Sequence, residues 1–191
     1  MNKAEKQALE RKAIFETKQW IQKFIIAHDI CPFAKKPFEQ NLISYKASCV
    51  LEIDDVIDVL VDELLNIDEI SPDEIETSLL ILPRALADFE EYNQFLDVVD
   101  SALDELDLVD VIQVDAFHPE FCFADYELDD VRNYTRRSLY PMFHFLRKDS
   151  IDYARETHPD VDMIADKNSD LLLQLSLDVI QKERKSCLKV Q

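Results

Sequence analysis

Apolar residues recur at helical spacing in several segments of the chain. Residues 4–28 predict a first helix, and two further stripes occupy residues 53–65 and 88–106. Shorter helices are predicted near residues 150–157 and 169–182. The apolar side of the first helix consists of Ile14, Trp20, Ile21, Phe24 and Ile25. Charged residues fill the other side, so this helix is expected to pack one face against a core.

Short apolar runs lie between these helices and predict four strands, at residues 41–50, 77–82, 109–118 and 142–147. Pro83 and Pro119 end the second and third runs. Strands that alternate with helices indicate an α/β fold, a two- or three-layer sandwich with about four strands in a mostly parallel or mixed sheet. The first three strands are expected to be parallel, and the direction of the fourth is open. A ferredoxin-like α+β sandwich is the alternative.

We expect one domain over residues 1–191, with the helix at 4–28, an α/β body at 29–157 and a C-terminal helix at about 169–182. The tail after Lys185 is expected to fray. No apolar run approaches the length of about 20 residues that spans a bilayer, and the charged N-terminus does not resemble a secretory signal. The four cysteines form no CxxC pair, so we expect reduced thiols in a cytoplasmic protein.

Two features of the composition are unusual. Glycine is absent, which excludes glycine-rich phosphate loops and leaves Asn, Asp or Pro for turns and helix ends. The chain has 40 acidic and 21 basic residues and a net charge of −19, which disfavours binding to nucleic acid or anionic membranes. From Ala47 to Val131 there are 26 acidic residues and one base, Arg84.

Ligands of open parallel sheets bind outside the carboxyl ends of the strands. His118 ends the third predicted strand and Arg84 follows the second, so parallel strands would place both at one edge. The irregular stretch from Glu120 to Pro141 starts at this edge, and long loops there commonly carry function. We expect His118 to be an acid–base group, because imidazole titrates near neutral pH. The alternative is that it caps a buried face.

Three further side chains are candidates for catalysis. Cys31 would be a nucleophile if it folds against His118 and loses its proton. Otherwise it is a small buried apolar residue. His144 and Tyr140 are expected to orient the substrate or the acid–base group, and the alternative for His144 is a satisfied core histidine.

The densest polar segment spans residues 133–141 and holds two arginines, several hydroxyls and an amide. Arg137 and Arg147 are expected to hold a carboxylate or phosphate, because a guanidinium donates two parallel hydrogen bonds to such groups. Asn133 and Ser138 are expected to contribute to the same binding site. The alternative is that the arginines pair with acidic residues immediately upstream, namely Asp125, Glu127, Asp129 and Asp130.

Four short motifs of the chain occur together. They are Cys31-Pro32-Phe33-Ala34-Lys35, Phe117-His118-Pro119, Asn133-Tyr134-Thr135-Arg136-Arg137-Ser138-Leu139-Tyr140-Pro141 and His144-Phe145-Leu146-Arg147. In this combination the chain resembles, over roughly residues 15–155, a bacterial family known as domain of unknown function fourteen-fifteen. The resemblance implies that all eight candidate site residues belong to the family signature, and it implies no particular reaction. The family tends to have glycine at Ala27 and Asp125, glutamine at Cys122, and Thr-Asn-Arg-Ser-Pro-Tyr-Pro at residues 135–141.

Three hypotheses for the function follow. The leading one is an enzyme, a hydrolase or transferase, that acts on a small anionic molecule. The second is a non-catalytic module that binds an anion or an acidic partner segment with the same arginines. The third is a metal protein that uses His118, Cys31 and His144, although no close-spaced ligand pair is present. No cofactor is expected, nor binding to nucleic acid or membranes, and the oligomeric state is open.

Overall fold

The computed structural model describes residues 1–158 and 160–188, and in these ranges a four-stranded sheet is flanked by seven α-helices. The strands are β1 (Ile43–Ala47), β2 (Thr77–Ile81), β3 (Ile112–Phe117) and β4 (Met142–Arg147). The helices are α1 (Lys3–Trp20), α2 (Lys35–Glu39), α3 (Ile53–Glu69), α4 (Phe89–Glu105), α5 (Lys148–Thr157), α6 (Ile164–Gln174) and α7 (Leu177–Cys187). α1 continues as a π-helix over Ile21–Ile26, and 3₁₀ turns occupy Val131–Thr135 and Val161–Met163. Within the described ranges, no helix has the length and apolar character needed to cross a membrane.

The strands lie in the order β1-β2-β4-β3. β1 and β2 are parallel neighbours, and β4 pairs antiparallel with both β2 and β3. The first three strands therefore run in one direction and the fourth runs against them. This mixed sheet confirms the α/β prediction, and the chain order β-α-β-α-β-β differs from the β-α-β-β-α-β order of the ferredoxin-like alternative. The carboxyl ends of β1, β2 and β3 meet the start of β4 at one edge.

The sheet has an apolar core on each face, which gives three layers. Side chains alternate along β2, so Leu80 joins the core beneath α3 and α4, whereas Leu79 joins the core beneath α1, α6 and α7. The predicted apolar stripes of α3 and α4 form the core on their own side of the sheet, where Leu60 and Tyr92 are fully buried. Phe24 of the π-helix is fully buried in the second core.

Two helices occupy the region where a single helix was predicted, at residues 169–182. α6 ends at Gln174, Leu175 is extended, and the Ser176 side chain accepts a hydrogen bond from the Val179 N–H at the start of α7. Apolar spacing continues across this break, so periodicity alone does not reveal it. α7 remains helical to Cys187, and the end of the expected frayed tail, residues 189–191, lies outside the described residues.

Helix ends in this glycine-free chain place aspartate or asparagine in the left-handed conformation. In the described residues, positive φ occurs at Asp29, Asn41 and Asp107, which follow helices, and at Leu86, which lies in the loop between β2 and α4. At the end of α4 the Asp107 N–H donates to the Asp104 carbonyl. The Leu108 N–H donates to the Leu103 carbonyl over 2.9 Å. In this pair of hydrogen bonds the first donor, here Asp107, is usually glycine. Ala27, where the resembled family tends to have glycine, has a φ of −62° and needs none.

Replacing Asp107 with glycine is expected to stabilise the protein by about 1 kcal/mol. Glycine has no Cβ and adopts the left-handed conformation without the steric cost that aspartate carries. The change also removes a negative charge from the carboxyl end of α4. Urea unfolding measures the effect, and Asp107→Asn, which removes only the charge, is the matched control. A glycine variant less stable than this control would contradict the interpretation.

Candidate functional site

His118 lies at the carboxyl end of β3, fully buried on the α4 side of the sheet. Its ring packs against Phe89 and Tyr92, with centroid distances of 5.3 and 5.0 Å. The Glu120 N–H donates to Nδ1 over 3.0 Å, so the proton is on Nε2, which donates to the Leu86 carbonyl over 3.1 Å. Burial lowers the pKa of His118. Because both nitrogens are bonded to backbone groups, the imidazole joins two loops.

Arg137 and Asn133 hold the loop that follows β3. Arg137 donates to the carbonyls of Phe121 and Leu128 over 2.8 and 2.5 Å. The buried Asn133 amide donates to a backbone carbonyl of the same loop over 2.8 Å and accepts from a backbone N–H over 3.0 Å. Both side chains thus form hydrogen bonds with the backbone of the loop that follows β3.

Arg147 lies at the other end of β4 and holds the end of α3. Nη2 lies 2.7, 2.6 and 3.0 Å from the carbonyl oxygens of Ile67, Ile70 and Ile75, which share its two hydrogens. The Nε–H also donates to the Ile75 carbonyl over 3.3 Å. Arg137 precedes β4 and Arg147 ends it. The structure therefore does not bring the two arginines together around one anion.

Tyr140 and Ser138 lie in the segment before β4, where Tyr140 bonds to α1 and Ser138 bonds within the segment. The Tyr140 hydroxyl donates to the buried carboxylate of Glu16 on α1. Burial, together with this hydrogen bond, raises the pKa of the phenol. The Ser138 hydroxyl donates to the Tyr140 carbonyl over 2.5 Å. These contacts join the start of β4 to α1.

His144 lies in the middle of β4 on the α1 side of the sheet, and part of its surface is exposed. Thr77 Oγ1 is 2.6 Å from the Phe145 carbonyl and 2.8 Å from His144 Nε2. A carbonyl only accepts, so the Thr77 hydroxyl donates to it and the His144 Nε2–H donates to the hydroxyl. The proton acceptor of the neutral ring is therefore Nδ1. Burial lowers the pKa of His144 to about 4, a shift that the Asp115 carboxylate opposes and the Arg136 guanidinium increases.

Asp115 and Arg136 form an ion pair beside His144. Asp115 is the direct partner of His144 in the pairing of β3 with β4. One oxygen of Asp115 is 3.1 Å from Arg136 Nη1, and the Gln113 amide donates to the other oxygen over 3.1 Å. The guanidinium also lies 5.2 Å from the centre of the Phe117 ring, which is 6.1 Å from the ring of His144. The Arg136 and Asp115 side chains are 32% and 24% exposed, so a ligand can reach them.

Cys31 lies on this same face, in the turn after the π-helix, packed against the α1-side core. Burial raises the pKa of its thiol, two backbone N–H groups of the turn lower it, and the Asp115 carboxylate raises it further. The thiol is therefore protonated at neutral pH. His118 lies on the opposite face, so the structure does not place Cys31 against it.

The structure brings together His144, Asp115 and Arg136, and Cys31 lies on the same face, where the Asp115 carboxylate affects its thiol. We call these four residues the His144 cluster. Sequence analysis selected His144 and Cys31 but missed the other two. Asp115 becomes recognisable only once the register of β3 against β4 is known. Arg136 lies in the dense polar segment, at a position where the resembled family tends to have asparagine, so the family signature does not mark it.

The metal hypothesis requires His118, Cys31 and His144 to converge. The sheet separates His118 from the other two residues. Over residues 1–158 and 160–188, no three histidine, cysteine, aspartate or glutamate side chains are grouped closely enough to hold a metal ion. The geometry therefore gives this hypothesis no support.

Comparison with known proteins identifies the family of the chain. The model of a family described as "Protein of unknown function (DUF1415)" matches residues 12–182. No curated protein and no solved structure matches the chain. Because the family match covers most of its length, the chain belongs to the DUF1415 family, which confirms the membership that the sequence motifs predicted.

Proposed function

We propose that this chain is an enzyme, a hydrolase or transferase, that acts on a small anionic molecule at the His144 cluster. The observation that carries the proposal is an imidazole fixed in one tautomer beside an ion-paired, partly exposed guanidinium. Nδ1 of His144 accepts a proton, and Arg136 binds the anion. Asp115 is a positioning residue, because it orients Arg136 and stabilises the imidazolium that forms.

Binding of an anion makes His144 a stronger base. In the free protein the pKa of His144 is lowered to about 4, below the neutral range in which a general base is most effective. A bound anion adds negative charge beside the ring, offsets the effect of Arg136 and raises the pKa of His144. Substrate binding is therefore accompanied by proton uptake.

A non-catalytic anion-binding module is the second candidate, and the state of Cys31 favours it. Burial raises the pKa of this thiol, so the cluster contains no activated nucleophile of its own. A hydrolase at this site would use water as the nucleophile. A binding module needs only Arg136 and His144 to hold its ligand.

Sulfate is expected to bind about tenfold more tightly at about pH 5 than at about pH 7, since an anion that raises the pKa of His144 by about two units couples binding to proton uptake. The sign follows from the charge, because the protonated ring attracts the anion and a larger fraction of the ring is protonated at lower pH. Isothermal titration calorimetry in two buffers of different ionisation enthalpy measures both the affinity and the protons taken up.

Three variants test the assignment of this effect. His144→Gln is expected to lose most of the pH dependence, and Arg136→Gln is expected to bind sulfate at least tenfold more weakly. Arg155→Gln removes an exposed arginine of α5 and is the matched charge control. Unchanged affinity in Arg136→Gln would contradict the proposal.

Turnover separates the two candidates. A panel of phosphate monoesters and carboxylate-bearing esters and thioesters is tested with the wild type and with His144→Gln. Hydrolysis or transfer that the variant loses supports the enzyme. Sulfate binding without turnover of any panel member supports the binding module.

A further inference from the structure

A groove on the opposite face of the sheet carries an inference that is independent of the proposed function. It lies between the start of α4 and the loop after β3 and has a volume of about 440 Å³. Its walls include Phe89, Phe121 and Phe123, with the exposed side chains of Glu90 and Asn93 beside them. This volume is in the range of small-molecule sites. We propose that the groove binds the substituted ammonium group of a small organic cation.

The three phenyl rings that line the groove pack against one another at steep angles rather than as a parallel stack. The centroids of Phe121 and Phe123 are 4.9 Å apart at an interplanar angle of 70°. Those of Phe89 and Phe121 are 5.3 Å apart at 57°. All three rings line the groove, and a ring face that is left open to it carries the negative charge of its π-system. Such surroundings attract quaternary and substituted ammonium groups.

The charge around the groove favours a cation over a neutral apolar ligand. The groove residues fall within the stretch from Ala47 to Val131, which has 26 acidic residues and one base. The Arg137 guanidinium also reaches this loop, but it is bonded to the carbonyls of Phe121 and Leu128 and is not among the residues that line the groove. Glu90 lines the groove, and Asp88 and Glu91 are its neighbours at the start of α4. The positive end of the α4 dipole amounts to roughly half a unit charge, so three carboxylates outweigh it.

Tyr126, an aromatic residue next to the groove residue Phe123, already binds a cationic side chain of this protein. The Arg132 guanidinium lies 3.9 Å from the centre of the Tyr126 ring, and Asp130 accepts two hydrogen bonds from its side chain, of 3.0 and 2.6 Å. Tyr126 packs edge-on against Phe123 at 5.6 Å. The groove repeats this combination of aromatic face and carboxylate, and no lysine or arginine is among the described residues that line it.

The test compares choline with 3,3-dimethyl-1-butanol, a neutral molecule of the same shape. NMR titration of isotope-labelled protein is expected to show choline shifting the amide signals of Phe89 and of residues 121–124. The neutral alcohol is expected to bind about tenfold more weakly. Equal binding of the two molecules, or no binding of choline at tens of millimolar, would overturn the proposal.

Variants assign the effect to the groove. Glu90→Gln keeps the shape but removes the charge, so it is expected to weaken choline about fivefold and to leave the alcohol unchanged. Phe123→Leu keeps an apolar wall but removes one π face and is expected to weaken choline by a similar factor. Glu105→Gln, about 20 Å away at the other end of α4, is the matched charge control. Wild-type choline affinity in both Glu90→Gln and Phe123→Leu would refute the site.

Discussion

Replacing Arg147 with alanine is expected to lower the free energy of unfolding by about 4 kcal/mol. The guanidinium donates to the carbonyls of Ile67 and Ile70, where α3 ends, and to that of Ile75 in the loop before β2. The last carbonyls of a helix have no partner within it, so the variant leaves polar groups without their donor. It also removes a positive charge from the negative end of the α3 dipole. Urea unfolding followed by circular dichroism measures the change.

Arg147→Lys separates the charge from the shape of the side chain. Lysine keeps a positive charge at the helix end but lacks the planar set of donors, so it is expected to recover about half of the loss. Sulfate affinity is expected to be unchanged in this variant, because Arg147 lies away from the His144 cluster. An alanine variant within about 0.5 kcal/mol of the wild type would contradict the capping role.

Replacing His118 with alanine is expected to cost about 4 kcal/mol, because it leaves both a cavity and two unpaired backbone groups. The lost contacts are the aromatic packing of the ring and its hydrogen bonds with Leu86 and Glu120. Burial lowers the pKa of His118 below its ordinary value of 6.5. Its contribution to stability is therefore fully present above about pH 6.5 and declines as the pH falls. Urea unfolding at several pH values measures both effects.

His118→Phe fills the space and keeps the ring packing but loses both hydrogen bonds, so a loss of about 2 kcal/mol is expected. This variant also tests the chemistry, because it is expected to fold and to retain the pH dependence of sulfate binding. His144→Gln is expected to lose that dependence. A folded His118→Phe protein that loses it instead would return the acid–base role to His118.

The long helices and the strands were predictable because each repeats a burial pattern over many residues. The stripes at residues 53–65 and 88–106 became α3 and α4, whose inner faces are buried in one core. α2 has only five residues and gives no such repeat. The break before α7 depends on one residue, Ser176, whose capping role is hidden by the continuing apolar spacing.

The roles of the arginines were not predictable in the same way. Arg137 and Arg147 were selected because a guanidinium fits an anion, but the same donors fit backbone carbonyls at a loop or a helix end. Every residue has a carbonyl, so no sequence pattern marks which arginine will bind one. Arg136 pairs instead with Asp115, a contact that depends on how the segment before β4 crosses the end of β3.

The position of β4 in the sheet affects when the protein can acquire its site during synthesis. β4 lies between β2 and β3, although it is the last of the described strands to emerge from the ribosome. While only residues 1–141 are available, β1 and β2 can pair, but β3 lacks the one described strand that pairs with it. The sheet therefore closes late, by contacts between segments distant in sequence. Because Asp115 meets His144 only in that closing step, the His144 cluster is completed only after β4 has emerged.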